Sequence, residues 1–230
     1  MGYTKLVLFD IDGTIMDTDG AGQQSFVTAL NTVFDRAFSV EGYSTSGKTD
    51  TQIAIELGER SNVSEAEMIE RLDEVRELYL SRLKVELARI TPTVFSGVRE
   101  LVSSVSEHSG CVTGLLTGNF EPGAWMKLDL INLTEPFQMG SFGDGARARK
   151  DLPGKAVTRA RDLTGQDFEG KEVVVIGDTP NDVACGRHLG VKSVAVATGI
   201  FDEAELDRAE PDHLFADFSD PPRVLDAILE

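Results

Sequence analysis

The chain has 230 residues, of which 41% are hydrophobic and 27% charged, enough to bury a core without disulfide or metal staples. Its 22 basic and 39 acidic residues give a net charge of -17, which excludes a nucleic-acid or anionic-membrane surface built on clustered Lys and Arg. No apolar run reaches the ~18 residues of a membrane span, and two cysteines, Cys111 and Cys185, make no disulfide framework.

Reduced, buried thiols suit the cytoplasm, which is the expected compartment. The opening MGYTKLVLFD runs directly into a strand pattern and is read as part of the fold rather than a signal peptide. That first strand, KLVLFDI near Leu6, is short, apolar and without alternation. Such strands are covered by helices on both faces.

From Met16 to Thr91 only helical patterns follow. Phe26, Leu30, Val33, Phe34 and Ala37 recur at helical spacing, and a shorter pattern from Asp50 includes Ile53 and Leu57. Ser64, with Glu67 three residues on, predicts a capping box opening one long helix through Met68, Leu72, Val75, Tyr79 and Leu83. Pro92 marks a return point. A helix near Val98, Leu101, Val102 and Val105 then alternates with further strands: CVTGLLT near Leu115, EVVVIGD near Val174, KSVAVAT near Val194 and a weaker HLFADF near Leu214. Strand–helix alternation predicts parallel strands. The expected fold is therefore α/β, a Rossmann-like parallel sheet formed by residues 1–15 and 92–230, with an all-helical insert over 16–91.

Chemistry concentrates at strand ends, where open α/β sheets bind their ligands. LVLFDIDGT places Asp10 and Asp12 two residues apart after an apolar strand. A turn accounts for Asp12-Gly13 but leaves Asp10, after four apolar residues, unexplained. VVVIGDTPNDV adds Asp178 and Asp182, where Thr179 or Asp178 can also cap a helix with Pro180 in its first turn. Four carboxylates near one point require a cation. Oxygen-only ligands without a His or Cys cluster suit Mg²⁺ rather than zinc. GLLTGN offers Thr117, Gly118 and Asn119 to phosphate oxygens, or forms an ordinary turn. A cation to offset the charge is available from Arg147, Arg149, Lys150 or Lys155.

These motifs, in this order, resemble the haloacid dehalogenase superfamily. Asp10-Ile11-Asp12-Gly13-Thr14 is similar to its DxDGT motif, Thr117 to its strand-ending Thr or Ser, and Asp178 to Asp182 to its GDxxxD. The helical insert resembles the family's cap. The resemblance implies Asp10 as nucleophile and Asp12 as acid/base. It also implies Mg²⁺ held by the Asp10 carboxylate, the Asp12 carbonyl and Asp178, with Asp182 behind them, and Thr117 with Lys150 on the phosphoryl oxygens. The third motif departs from the family: Lys150-Asp151-Leu152-Pro153 lacks the first proline of Lys-Pro-x-Pro, and Arg149 competes with Lys150. SGKTD, Ser46 to Asp50, looks like the cap loop of phosphoglycolate phosphatase-like and β-phosphoglucomutase-like relatives. Lys48 and Thr49 would then meet the leaving group, unless Thr49 or Asp50 only caps a helix. The acid at position 12 favours phosphate monoesters, because a departing alkoxide needs a proton. The expected partner is a small phosphorylated metabolite, phosphoglycolate first, acted on by a monomer or weak dimer. A sugar phosphomutase and a non-catalytic binding protein on the same fold are the alternatives.

Overall fold

A computed structural model describes residues 2–230. Its strands are β1 Lys5–Phe9, β2 Met16–Asp17, β3 Thr93–Val94, β4 Cys111–Leu116, β5 Met139–Ser141, β6 Val173–Gly177, β7 Lys192–Val196 and β8 His213–Phe215. Its helices are α1 Ala21–Phe34, α2 Asp50–Arg60, α3 Glu65–Glu70, α4 Leu72–Leu87, α5 Val98–Glu107, α6 Glu121–Leu130, α7 Leu152–Thr164, α8 Pro180–Cys185, α9 Glu203–Asp207 and α10 Pro221–Leu229.

Six strands form one parallel sheet in the order β5-β4-β1-β6-β7-β8. The unbroken apolar runs are explained by two covered faces. Val7, Phe9, Leu115, Val174 and Ile176 pack against α5, α6 and α10, while Leu6, Leu8, Val112, Val173 and Val175 pack on the side of α7. Leu6, Val7, Leu8 and Phe9 are 0–1% exposed, and burying each such side chain is worth about 1.5–3 kcal/mol. Both cysteines are free and buried.

All five expected strands are present. β5 escaped the sequence reading because three residues, one of them glycine, carry no periodic signal; it pairs only with β4. β2 and β3 form a small antiparallel ribbon, Met16 opposite Val94, where the chain leaves and re-enters the sheet region. Between them lie only helices, α1 to α4, built around a separate apolar cluster that includes Phe26, Leu30, Leu57, Met68, Val75, Tyr79 and Leu83. The single helix expected from Ser64 is two. Ser64 caps α3 by accepting the Glu67 N–H, and the chain then turns at Arg71 (φ −105°, ψ 7°) before α4 begins. Periodicity does not register that break, because Met68, Val75, Tyr79 and Leu83 all stay on the buried side. α1 also stops at Phe34, so Ala37 lies beyond its face. No helix among the described residues is long and apolar enough to cross a membrane.

Candidate active site

Register brings the motifs together. Phe9 pairs with Leu115 on one side and with Ile176 on the other. The residues that follow these strands, Asp10, Thr117 and Asp178, therefore emerge side by side. The Asp10 amide donates to the Ile176 carbonyl (2.9 Å), carrying the ladder one residue past β1. Gly13 then turns with φ +82°, and a Cβ there would collide with the Asp178 carboxylate. Thr14 Oγ1 donates to Asp178 Oδ1 at 2.9 Å and is fully buried.

Asp182 sits at the first turn of α8. Its carboxylate accepts the Thr179 N–H (3.0 Å) and hydroxyl (2.6 Å), while the Thr179 hydroxyl accepts the Asp182 N–H, a capping box. Its other oxygen accepts from Arg149. Arg149 also lies 3.1 Å from Asp10 Oδ2. Asp10, Asp178, Asp182 and Arg149 are all at most 5% exposed. Burial drives the Asp10 carboxyl upward, opposed by Arg149 and reinforced by Asp182 and Asp12. Asp178 is raised as well, by burial first and then by Asp182 and Asp10. One guanidinium is thus too little charge for three buried carboxylates. These three each offer an oxygen within 4.8 Å of the others, so the donor set fits a hard divalent cation such as Mg²⁺.

Lys150, expected to face the phosphate, is exposed and does not line the cavity. Arg149, its competitor, is buried and lines the cavity. The two residues are consecutive in a short 3₁₀ turn, Arg149–Asp151, where neighbouring side chains point about 120° apart. The competition between them is decided by which one faces the sheet ends. Of the two readings of Thr49, the structure shows the helix cap. Thr49 is fully buried, caps α2 by accepting the Gln52 N–H (3.0 Å) and donates to the Ala146 carbonyl (2.6 Å), so its hydroxyl is turned away from the cavity. Lys48 does line the cavity, paired with Glu56 (2.7 Å) and lying over the Tyr43 ring at 4.1 Å. Thr117, Gly118 and Asn119 line it too.

One residue was not foreseen. Lys127, on α6, is 3% exposed and bonds both Asp12 oxygens (2.7 and 2.6 Å) and Asn119 Oδ1 (2.7 Å). Asn119 Nδ2 completes the ring, donating to Asp12 Oδ2 and Thr117 Oγ1, each at 2.7 Å. A signal existed. Ala124, Lys127 and Leu128 share helical spacing on a buried face, and a lysine on an apolar stripe is rarely idle.

The helical region is docked on this site. Phe120, next to Asn119, inserts beside Phe26 and Tyr79 with ring centroids 6.2 Å from each. Asp50 accepts the Phe120 N–H (2.8 Å), and its own N–H donates to the Gly118 carbonyl (2.7 Å). A cavity of about 440 Å³ remains between the sheet ends and the helices.

A parallel sheet flanked by helices, with acidic residues at its central strand ends, defines an α/β, Rossmann-like class of fold. The chain belongs to the haloacid dehalogenase-like hydrolase family, whose pattern matches residues 7–196. It is 27% identical over 217 residues to the pyrophosphatase PpaX of Bacillus cereus (strain G9842), covering 93% of each chain. Among solved structures it is similar to a predicted phosphatase from Clostridium acetobutylicum (TM-score 0.68, 20% identity, 97% and 99% of the two chains). It is also similar to CbbY from Rhodobacter sphaeroides in complex with phosphate (TM-score 0.69, 16% identity, 94% and 96%).

Proposed function

We propose that the chain is a Mg²⁺-dependent phosphatase that hydrolyses a small phosphate monoester through an aspartyl-phosphate on Asp10. The observation that carries this reading is the excess of buried carboxylate at the sheet ends, Asp10, Asp178 and Asp182 around the single cation Arg149. The relatives' names, pyrophosphatase and phosphatase, support the same chemistry.

The Asp10 carboxylate, the Asp12 carbonyl and Asp178 would hold Mg²⁺, with Asp182 holding Arg149 in place behind them. The ion's contribution when bound is to offset negative charge on the nucleophile and the phosphoryl oxygens. An Asp10 oxygen attacks phosphorus, and the bond from phosphorus to the leaving oxygen breaks as Asp12 delivers a proton to that oxygen. Water then attacks the phosphorus of the acyl phosphate, and Asp12 accepts its proton. Cleavage of the aspartyl bond returns the Asp10 carboxylate and inorganic phosphate. Thr117 and the Gly118 amide take phosphoryl oxygens. Arg149 takes the role expected of Lys150, and its buried Nε–H, without a partner in the protein, supports that assignment. Residues 16–91 act as a cap that excludes bulk water during phosphoryl transfer to Asp10 and sets specificity. The enzyme works in the cytoplasm as a monomer or weak dimer.

The test is phosphate release from a panel of small esters with Mg²⁺, comparing the natural chain with Asp10→Asn. Activity surviving in that variant refutes the nucleophile. Conversion of a hexose 1-phosphate to an isomer, in place of free phosphate, would show a mutase.

A further inference from the structure

Resting on the phosphatase reading, we propose that the leaving group is a neutral alcohol with substantial apolar surface, so that the phosphoryl group is the substrate's only anionic part. The argument is a charge inventory of the cavity. Its lining carries three cations, Lys48, Lys127 and Arg149, against five acidic side chains, Asp10, Asp12, Asp17, Asp50 and Asp178. Every one of the three cations is already paired. Arg149 lies between Asp10 and Asp182, Lys127 holds Asp12, and Lys48 holds Glu56. A divalent ion and Arg149 would offset the phosphoryl charge at the sheet ends. On the cap side no unpaired cation remains among the described residues that line the cavity for a second anionic group.

That side offers other chemistry. Phe26, Val27, Val40, Ile53 and Leu57 present apolar side chains to the cavity, and Gln23, Thr45 and Ser46 are their neutral polar neighbours. Lys48 is the cap loop's one cation in the cavity wall. Glu56 holds its ammonium at 2.7 Å and is itself fixed by Gln52 Nε2 at 2.7 Å, so Glu56 is oriented as well as present. A carboxylate or second phosphate on the leaving group would have to displace Glu56 from Lys48 while facing Asp17. A neutral group displaces no ion pair on entry, and its apolar part buries surface against the five apolar side chains. The size is that of a small-molecule site, about 440 Å³. The expected substrate therefore differs both from phosphoglycolate and from pyrophosphate, the substrate in the relatives' name.

The experiment measures kcat/KM by phosphate release, with the full chain and Mg²⁺. The substrates are n-hexyl phosphate, 2-phenylethyl phosphate, glycerol 2-phosphate, phosphoglycolate and pyrophosphate. The two apolar esters are expected to exceed the two anionic substrates by about tenfold or more, the scale of one uncompensated charge in a partly enclosed site. Glycerol 2-phosphate, neutral but polar, is expected between them. In Glu56→Gln, which keeps a hydrogen-bonding amide but frees the Lys48 charge, the preference is expected to shift severalfold toward phosphoglycolate. Equal or better turnover of the anionic substrates by the natural chain overturns the proposal and leaves the phosphatase reading standing. So does a preference that Glu56→Gln fails to move. Absence of phosphate release from all five substrates, and from acetyl phosphate as an undemanding control, removes the phosphatase reading and this proposal with it.

Discussion

Lys127→Met separates holding the fold from holding the acid/base. Methionine matches the length of the lysine stem and fills its volume without a charge. The ammonium makes contacts of 2.6 and 2.7 Å to Asp12 and 2.7 Å to Asn119. Breaking a fully buried ion pair costs about 3–5 kcal/mol, because the remaining charge is left uncompensated. Here the Asp12 side chain is 43% exposed, so water re-solvates it once Lys127 is gone. The desolvation of the ammonium also disappears from the folded state. We predict a net stability loss of only about 1 kcal/mol, at the level of one ordinary hydrogen bond, read as a small shift of the urea midpoint. Activity responds differently. Asp12 keeps only the Asn119 amide, its carboxylate rotates, and a displacement of about 1 Å costs about 100-fold in rate. The assay compares kcat/KM for an alkyl phosphate with kcat/KM for p-nitrophenyl phosphate, whose leaving group departs without a proton; kcat/KM reports the steps up to leaving-group departure and so leaves out the shared hydrolysis of the acyl phosphate. By this measure the alkyl ester is expected to slow about 100-fold and the nitrophenyl ester less than about tenfold, since only the first needs Asp12 as acid in that step. Equal losses on both esters, or a KM effect alone, would refute the positioning argument.

Arg149→Met and Lys150→Ala should diverge. The first strands Asp10 and Asp182 in a dry site, costs about 3–5 kcal/mol in urea unfolding and abolishes turnover; the second, on an exposed residue, stays within about 0.5 kcal/mol. Asp50 gives a pH prediction. Burial, opposed by the Phe120 N–H and Lys127, pushes its carboxyl up to about 7 from 3.8. Between those values the folded carboxyl keeps a proton that the unfolded one has released, so this group's contribution to stability falls as pH rises. Urea midpoints of Asp50→Asn and the natural chain should therefore draw apart in favour of the variant between pH 4 and 8; parallel curves would refute the assignment. Gly118→Ala tests the docking of the helical region. A Cβ there would collide with the Lys48 carbonyl, so the cap loop must lift, and KM is expected to rise with little change in the unfolding midpoint.

Much of the architecture was legible in the chain. The β1, β4, β6 and β7 runs are apolar on both faces, and burial in a helix-covered parallel sheet is the arrangement that uses such runs. Asp10, Asp12, Asp178 and Asp182 were legible because two apolar strands each run into acid, and a turn or a helix cap accounts for some of these residues but not for Asp10. β5 and the break at Arg71 were not, since three residues or one turn fall below the length over which periodicity can be read. Whether Arg149 or Lys150 serves the site is a matter of side-chain direction in one short turn, and local sequence is symmetric between two adjacent cations. The pairing of Lys127 with Asp12 spans 115 positions, and that of Lys48 with Glu56 joins a loop to a helix. The sequence by itself determined the sheet and the acids at its strand ends, because these follow from local pattern and from charge. Only the tertiary structure decided which cations are committed and which carboxylates hold them, because ion pairing depends on distances that sequence separation does not encode.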